Sequence, residues 1–248
     1  MSALRKYESA RAFRQALETR LKRLADLEKT EFQRMRRQVA FDRLLARLFK
    51  ASTDEWALKG GYALELRFDE ARATRDIDLT LSHPGSLPLP ESPTNERLLE
   101  ELRQRTRSDP GDFFVFLIGQ PTMDIEAAPY GGSRYPVVAQ MDGRTFVKFH
   151  VDIGIGDPLV KPTETVTAPD WLGFAGIPAP TFVCISKEQQ FAEKLHAYTM
   201  PDRPRPNSRV KDLVDMVLMT RRFQLAGARG LTRTLDNLGP RNRGRSVP

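Results

Sequence analysis

Two short elements constrain this fold most: Lys59-Gly60-Gly61 and, a little further on, Asp76-Ile77-Asp78. The apolar residues Ile77, Leu79 and Leu81 alternate, which marks a strand over 76–81. Side chains along a strand alternate between faces, so Asp76 and Asp78 share the face opposite Ile77 and Leu79. Two neighbouring carboxylates repel unless a cation neutralises them. A hard divalent ion takes such oxygens and keeps positions open for phosphate. The glycine pair opens a predicted helix over 61–68 and lets backbone come close to phosphate oxygens, with helix N-terminal N–H groups toward the anion. A phosphate cradle beside a metal-binding acidic pair suits transfer of a nucleotide or phosphoryl group.

The rest of the chain reads as an α/β protein. Apolar stripes predict helices over 8–28 (Phe13, Leu17, Leu21, Leu24) and 31–50 (Phe32, Met35, Val39, Leu45, Leu48), with their basic residues on solvated faces. A short strand is expected at 56–60, a proline-rich loop at 82–94 and a helix at 95–107. Apolar runs at 113–119, 135–141 and 144–153 follow, the last two joined by the hairpin signal Asp142-Gly143. Residues 154–181, rich in Gly and Pro, read as a linker between two lobes. Ser186 and Gln189 form a capping box for a helix over 187–199. A loop at 200–208, helices at 209–222 and 226–238 and a basic, disordered tail after Gly239 complete the reading. The lobes are set at 1–165 and 166–248, the second mainly helical.

Four segments carry a resemblance. Leu58-Lys59-Gly60-Gly61-Tyr62-Ala63-Leu64-Glu65-Leu66-Arg67-Phe68 is similar to hxKGGTALxLxY, and Arg72-Ala73-Thr74-Arg75-Asp76-Ile77-Asp78-Leu79 to RFSxDIDL. Glu193-Lys194-Leu195-His196-Ala197-Tyr198 is similar to EKLHAL. Arg209-Val210-Lys211-Asp212-Leu213-Val214-Asp215-Met216 follows the family's R-x-KDxxDL. Over roughly residues 56 to 220 the chain thus resembles the AbiEii/AbiGii toxin family, MenT-like proteins included, within the polymerase-β-type nucleotidyltransferases. Tyr62 stands where the family has Thr, and Thr74 where it has Ser. Tyr62 loses a hydroxyl that could touch phosphate and is given no role.

The resemblance implies a polymerase-β-like lobe with a mixed sheet and a helical C-terminal lobe. It implies Mg²⁺ (or Mn²⁺) on Asp76, Asp78 and a third carboxylate, with an NTP as substrate. Asp152, on the strand after the hairpin, is the candidate third carboxylate, to orient or deprotonate an acceptor hydroxyl; Asp157 competes for it. Lys194 and Asp212 map onto the family's catalytic lysine and aspartate, with Asp215 one turn on as a substitute. Lys59, Gly60, Gly61, Arg72 and Thr74 are the candidate nucleotide-binding residues. Arg75 alternates to the far face, and His196 reads as structural.

For the implied toxin of a toxin–antitoxin pair, the acceptor is RNA, a tRNA 3′ end in the mycobacterial members, and a cognate antitoxin is a partner. A net charge of +7 suits an anionic partner, although it also merely keeps a protein soluble. Transfer to a protein side chain and a non-catalytic nucleic-acid-binding module are the rival readings. The single cysteine, Cys184, sits in an apolar run and reads as a buried thiol. With no leader-like or membrane-length apolar run, a cytoplasmic protein is expected.

Overall fold

The computed structural model describes residues 6–50, 56–82, 95–125, 128, 131–199 and 209–222. Most of the loop read at 82–94, all of that at 200–208, the helix read at 226–238 and the basic tail lie outside the described residues. Two long helices, α1 (Ala10–Glu28) and α2 (Phe32–Lys50), come first. The chain then runs β1 (Trp56–Lys59), α3 (Gly60–Glu65), β2 (Asp76–Leu81) and α4 (Asn95–Thr106). Strands β3 (Val115–Ile118), β4 (Met123–Asp124), β5 (Gly132–Met141), β6 (Arg144–Ile155), β7 (Glu164–Thr167) and β8 (Thr181–Cys184) follow, then helices α5 (Lys187–Thr199) and α6 (Val210–Arg222).

All eight strands make one mixed sheet in the order β3-β5-β6-β2-β1-β8-β7, with β4 beside β5. Strands β2 and β6, and β1 and β8, run parallel; the other pairs are antiparallel. Alternation sorts the two faces. Ile77, Leu79, Tyr135, Val137, Phe149, Val151 and Ile153 point into the core with Phe13, Leu17, Leu21, Val39, Phe41 and Leu45 of α1 and α2. Each such side chain contributes about 1.5–3 kcal/mol by leaving water, and this layering sets the sheet's register. The opposite parity, with Asp76, Asp78, His150, Asp152 and Arg134, is only partly buried and carries the candidate site.

The hairpin signal is met: Asp142 and Gly143 both take positive φ, at 56° and 64°, as a tight β5–β6 turn requires. Half of the capping box is met too. The Gln189 N–H donates to Ser186 Oγ at 3.2 Å, while the Gln189 side chain donates to Pro158 O and Glu193 instead of reaching back. The linker reading of 154–181 is not met. Strand β6 runs on to Ile155, β7 straddles residue 165, and β8 begins at Thr181, so this stretch builds one side of the sheet. Its Gly and Pro residues punctuate short strands, a pattern that composition does not distinguish from a linker.

The basic residues of α2 do not all lie on a solvated face. Arg43 and Arg47 are buried around Asp112, which accepts from Arg47 Nη2 at 2.6 Å, Arg47 Nη1 at 2.8 Å and Arg43 Nε at 2.6 Å. Burial alone would raise the Asp112 carboxyl, but the two guanidiniums outweigh it and hold it below its ordinary value. Cys184 is buried at the end of β8, and burial pushes its thiol up to about 11, an inert thiol as expected.

Candidate active site

Strand register assembles the site. Lys59 lies opposite Asp78 on β1 and β2, Asp78 opposite Asp152 on β2 and β6, and Asp152 opposite Arg134 on β6 and β5. One row across four strands therefore reads Lys59, Asp78, Asp152, Arg134. The neighbouring row holds Asp76 and His150, whose Nδ1 lies 3.3 Å from Asp76 Oδ1.

The glycine pair makes room for this row. Gly60 has φ +68°, and a Cβ on it would lie 1.9 Å from Asp78 Oδ2. Only glycine satisfies both the conformation and the contact. A Cβ on Gly61 would lie 2.7 Å from Thr74 Oγ1. The Gly60 carbonyl accepts from Gln190 Nε2 of α5 at 2.6 Å, which ties the glycine turn to the C-terminal helices. Helix α3 spans six residues, so the expected helix-dipole contribution to phosphate binding is small; what the glycines supply is space.

Burial first, and then the Asp152 carboxylate, push Asp78 up to about 6 against the pull of Lys59 and Lys194; Asp76 adds to the rise. Burial would lower the Lys59 ammonium, yet Glu193, Asp157 and Asp78 outweigh it and hold it above its ordinary value. Asp157 is buried and forms an ion pair with Lys59. Asp152, opposite Asp78 in the register, shares the face of Asp76 and Asp78. Both of its oxygens accept from Arg134: Nε to Oδ1 at 2.7 Å and Nη2 to Oδ2 at 2.6 Å. Nη2 also stands 3.7 Å from Asp76 Oδ2.

A divalent ion fits Asp76 and Asp78 by donor chemistry: hard oxygens on one face, with like charge concentrated around Asp78. Among the described residues no three His, Cys, Asp or Glu side chains are grouped to hold a metal ion.

The C-terminal helices close the other side. Lys194 of α5 donates to Asp212 Oδ1 at 3.1 Å and to Asp215 Oδ2 at 2.8 Å on α6. Asp215 is 2% exposed and also receives both Arg72 donors, Nε at 3.0 Å and Nη2 at 2.9 Å. Burial would raise the Asp212 carboxyl, but Arg209 and Lys194 outweigh it and keep it low. Asp212 and Asp215 therefore share Lys194. Thr74 Oγ1 lies 3.4 Å from Asp76 O, and Arg75 is exposed.

Tyr62, given no role from sequence, is fully buried. It donates to Asp42 Oδ1 at 2.5 Å, and Trp171 Nε1 donates to Asp42 Oδ2 at 2.8 Å. Its ring fixes α3 against α2. Sequence reasoning missed Arg134, His150 and Gln190. Only the alternation around Asp152 hints at His150, and no local pattern marks the other two.

None of the curated proteins matches the chain. Solved structures share its fold. The MenT4 nucleotidyltransferase toxin Rv2826c of Mycobacterium tuberculosis H37Rv superposes with TM-score 0.57 at 19% identity, over 82% of this chain and 63% of that one. This chain thus spans less than two thirds of that toxin's length. JHP933 of Helicobacter pylori gives TM-score 0.53 at 14% identity, over 84% of this chain and 74% of its own. A second H. pylori protein, described as a putative nucleotidyltransferase, gives 0.51 at 15% identity, over 84% and 77%. The family described as nucleotidyl transferase AbiEii toxin, type IV toxin–antitoxin system, matches residues 43–244, which takes in the glycine turn, the acidic row and both C-terminal helices. With most of its length so matched, this protein belongs to the AbiEii nucleotidyltransferase toxin family.

Proposed function

We propose that this protein transfers a nucleotide from an NTP to an RNA acceptor, a tRNA 3′ end, and so blocks translation until a cognate antitoxin counters it. The observation that carries this reading is the packing of Gly60 onto Asp78 beside Asp76 and Asp152. That close packing sets the glycine turn directly against the acidic pair.

In this reading Asp76 and Asp78 hold Mg²⁺ or Mn²⁺. When bound, the ion supplies Lewis-acid stabilisation of the phosphate under attack. Gly60 and Gly61 let the triphosphate lie close to the backbone. Lys59, Arg72 and Lys194 place positive charge around it, each held in position by a carboxylate partner. An acceptor hydroxyl attacks the α-phosphorus and gives up its proton to water, the bond to the β-phosphate breaks, and pyrophosphate leaves. Preorganised cations lower the barrier because they need not reorient as charge develops on that leaving group. The net charge of +7 supports an RNA acceptor, since Lys and Arg gain affinity by displacing counterions from phosphate. A cytoplasmic location is part of the same reading; among the described residues no helix is long and apolar enough to cross a membrane.

The test incubates the protein with Mg²⁺, labelled NTPs and total RNA. Label should enter RNA, and periodate oxidation of the RNA 3′ end should prevent it. Label that survives periodate, or that appears on a protein band, would reject the RNA-end acceptor and favour protein modification. Absence of any label, with RNA binding intact, would favour a non-catalytic binding module.

A further inference from the structure

Arg134 is the one charged side chain in the acidic row that neither the family motifs nor the sequence reading assigned. It is not a surface arginine that happens to lean on a carboxylate. Strand β5 presents it directly opposite Asp152, and the backbone around it is pinned on both sides. Gly132, two residues earlier, lies so close to β6 that a Cβ would sit 2.1 Å from Ile153 O. On the outer side, Arg134 O accepts from Thr122 N at 2.9 Å, and β4 pairs there.

The guanidinium grips Asp152 through two parallel bonds of 2.7 and 2.6 Å, the strongest geometry open to an arginine–carboxylate pair. That uses both carboxylate oxygens. The same Nη2 lies 3.7 Å from Asp76 Oδ2, so one delocalised charge sits between two of the three carboxylates. At 30% exposure the guanidinium still faces the open side of the sheet. An arginine keeps its charge at every working pH and needs no metal supply.

We propose that Arg134 takes the place at Asp152 that a second metal ion would otherwise fill, so that the chain carries a single divalent ion, on Asp76 and Asp78, and offers the guanidinium as the second positive charge of the site. This rests on the metal-dependent nucleotidyltransferase reading given above. Asp152 then acts as the anchor that aims Arg134, and not as a ligand: both of its oxygens face the guanidinium.

The experiment counts Mn²⁺ per chain, by titration calorimetry and by electron paramagnetic resonance, in the presence of a non-hydrolysable NTP analogue. The wild-type protein should bind one ion. Arg134→Ala frees both oxygens of Asp152 and should bind two. Asp152→Asn should still bind one, because the residue lost was not a ligand. Should Arg134→Ala fail to fold, the wild-type and Asp152→Asn counts decide the matter. Two ions on the wild type, falling to one in Asp152→Asn, would overturn the proposal alone. No ion on the wild type would overturn it together with the metal-dependent reading.

Discussion

Asp42 offers a quantitative test of how the glycine turn is held in place. It lies on α2, wholly buried, and accepts from Tyr62, the residue after Gly60-Gly61, and from Trp171. Burial pushes its carboxyl up to about 7 from an ordinary 3.8, although Tyr62, Trp171 and Arg43 all pull the other way. A carboxyl whose folded value lies above its unfolded value favours folding most while protonated. Its contribution is therefore full below 3.8 and is lost as pH rises to about 7. From about pH 5 to the folded value spans about two pH units, at about 1.4 kcal/mol each, so about 3 kcal/mol disappears by about pH 8.

Asp42→Asn removes the titration and keeps the shape. The new amide can donate to Tyr62 Oη while Tyr62 donates to Gln38 O, 3.2 Å away. Urea unfolding of both proteins at about pH 5 and about pH 8 isolates the term, because other titrating groups cancel between them. The stability of the Asp42→Asn variant relative to wild type should rise by about 3 kcal/mol across that interval. A difference that stays constant with pH would refute a buried, uncharged Asp42.

Gly60→Ala should lower stability by at least about 1–2 kcal/mol from the left-handed backbone alone, and should abolish transfer because the added methyl displaces Asp78; wild-type activity would contradict the packing, and chemical denaturation gives the cost. Asp78→Asn should lose activity while its melting temperature holds or rises, since a carboxyl raised to about 6 by burial and Asp152 is a repulsive group; a marked fall in melting temperature would count against that electrostatic picture. Lys194→Ala should slow transfer by on the order of a hundredfold and leave RNA binding in place, whereas Lys194→Arg should not restore the rate, because a planar guanidinium does not fit the two-carboxylate seat of Asp212 and Asp215; unchanged kinetics in Lys194→Ala would make it a structural cation only.

Much of this protein was determined by local sequence. Alternation around Ile77 and Leu79 placed Asp76 and Asp78 on one face, and Asp142-Gly143 placed the hairpin, because both are properties of a few adjacent residues. The apolar stripes of α1 and α2 gave the helical layer over the sheet. What lay beyond the sequence depends on pairing across distance. A β-bulge between Ala139 and Gln140 shifts the β5–β6 register by one residue. Counted outward from the turn without that shift, Asp152 would face Ser133; with it, Asp152 faces Arg134. The burial of Arg43 and Arg47 around Asp112, and the sharing of Asp215 by Arg72 and Lys194, likewise join residues far apart in the chain. Periodicity reports which face a residue occupies; only the packed sheet and helices decide which residue stands opposite it.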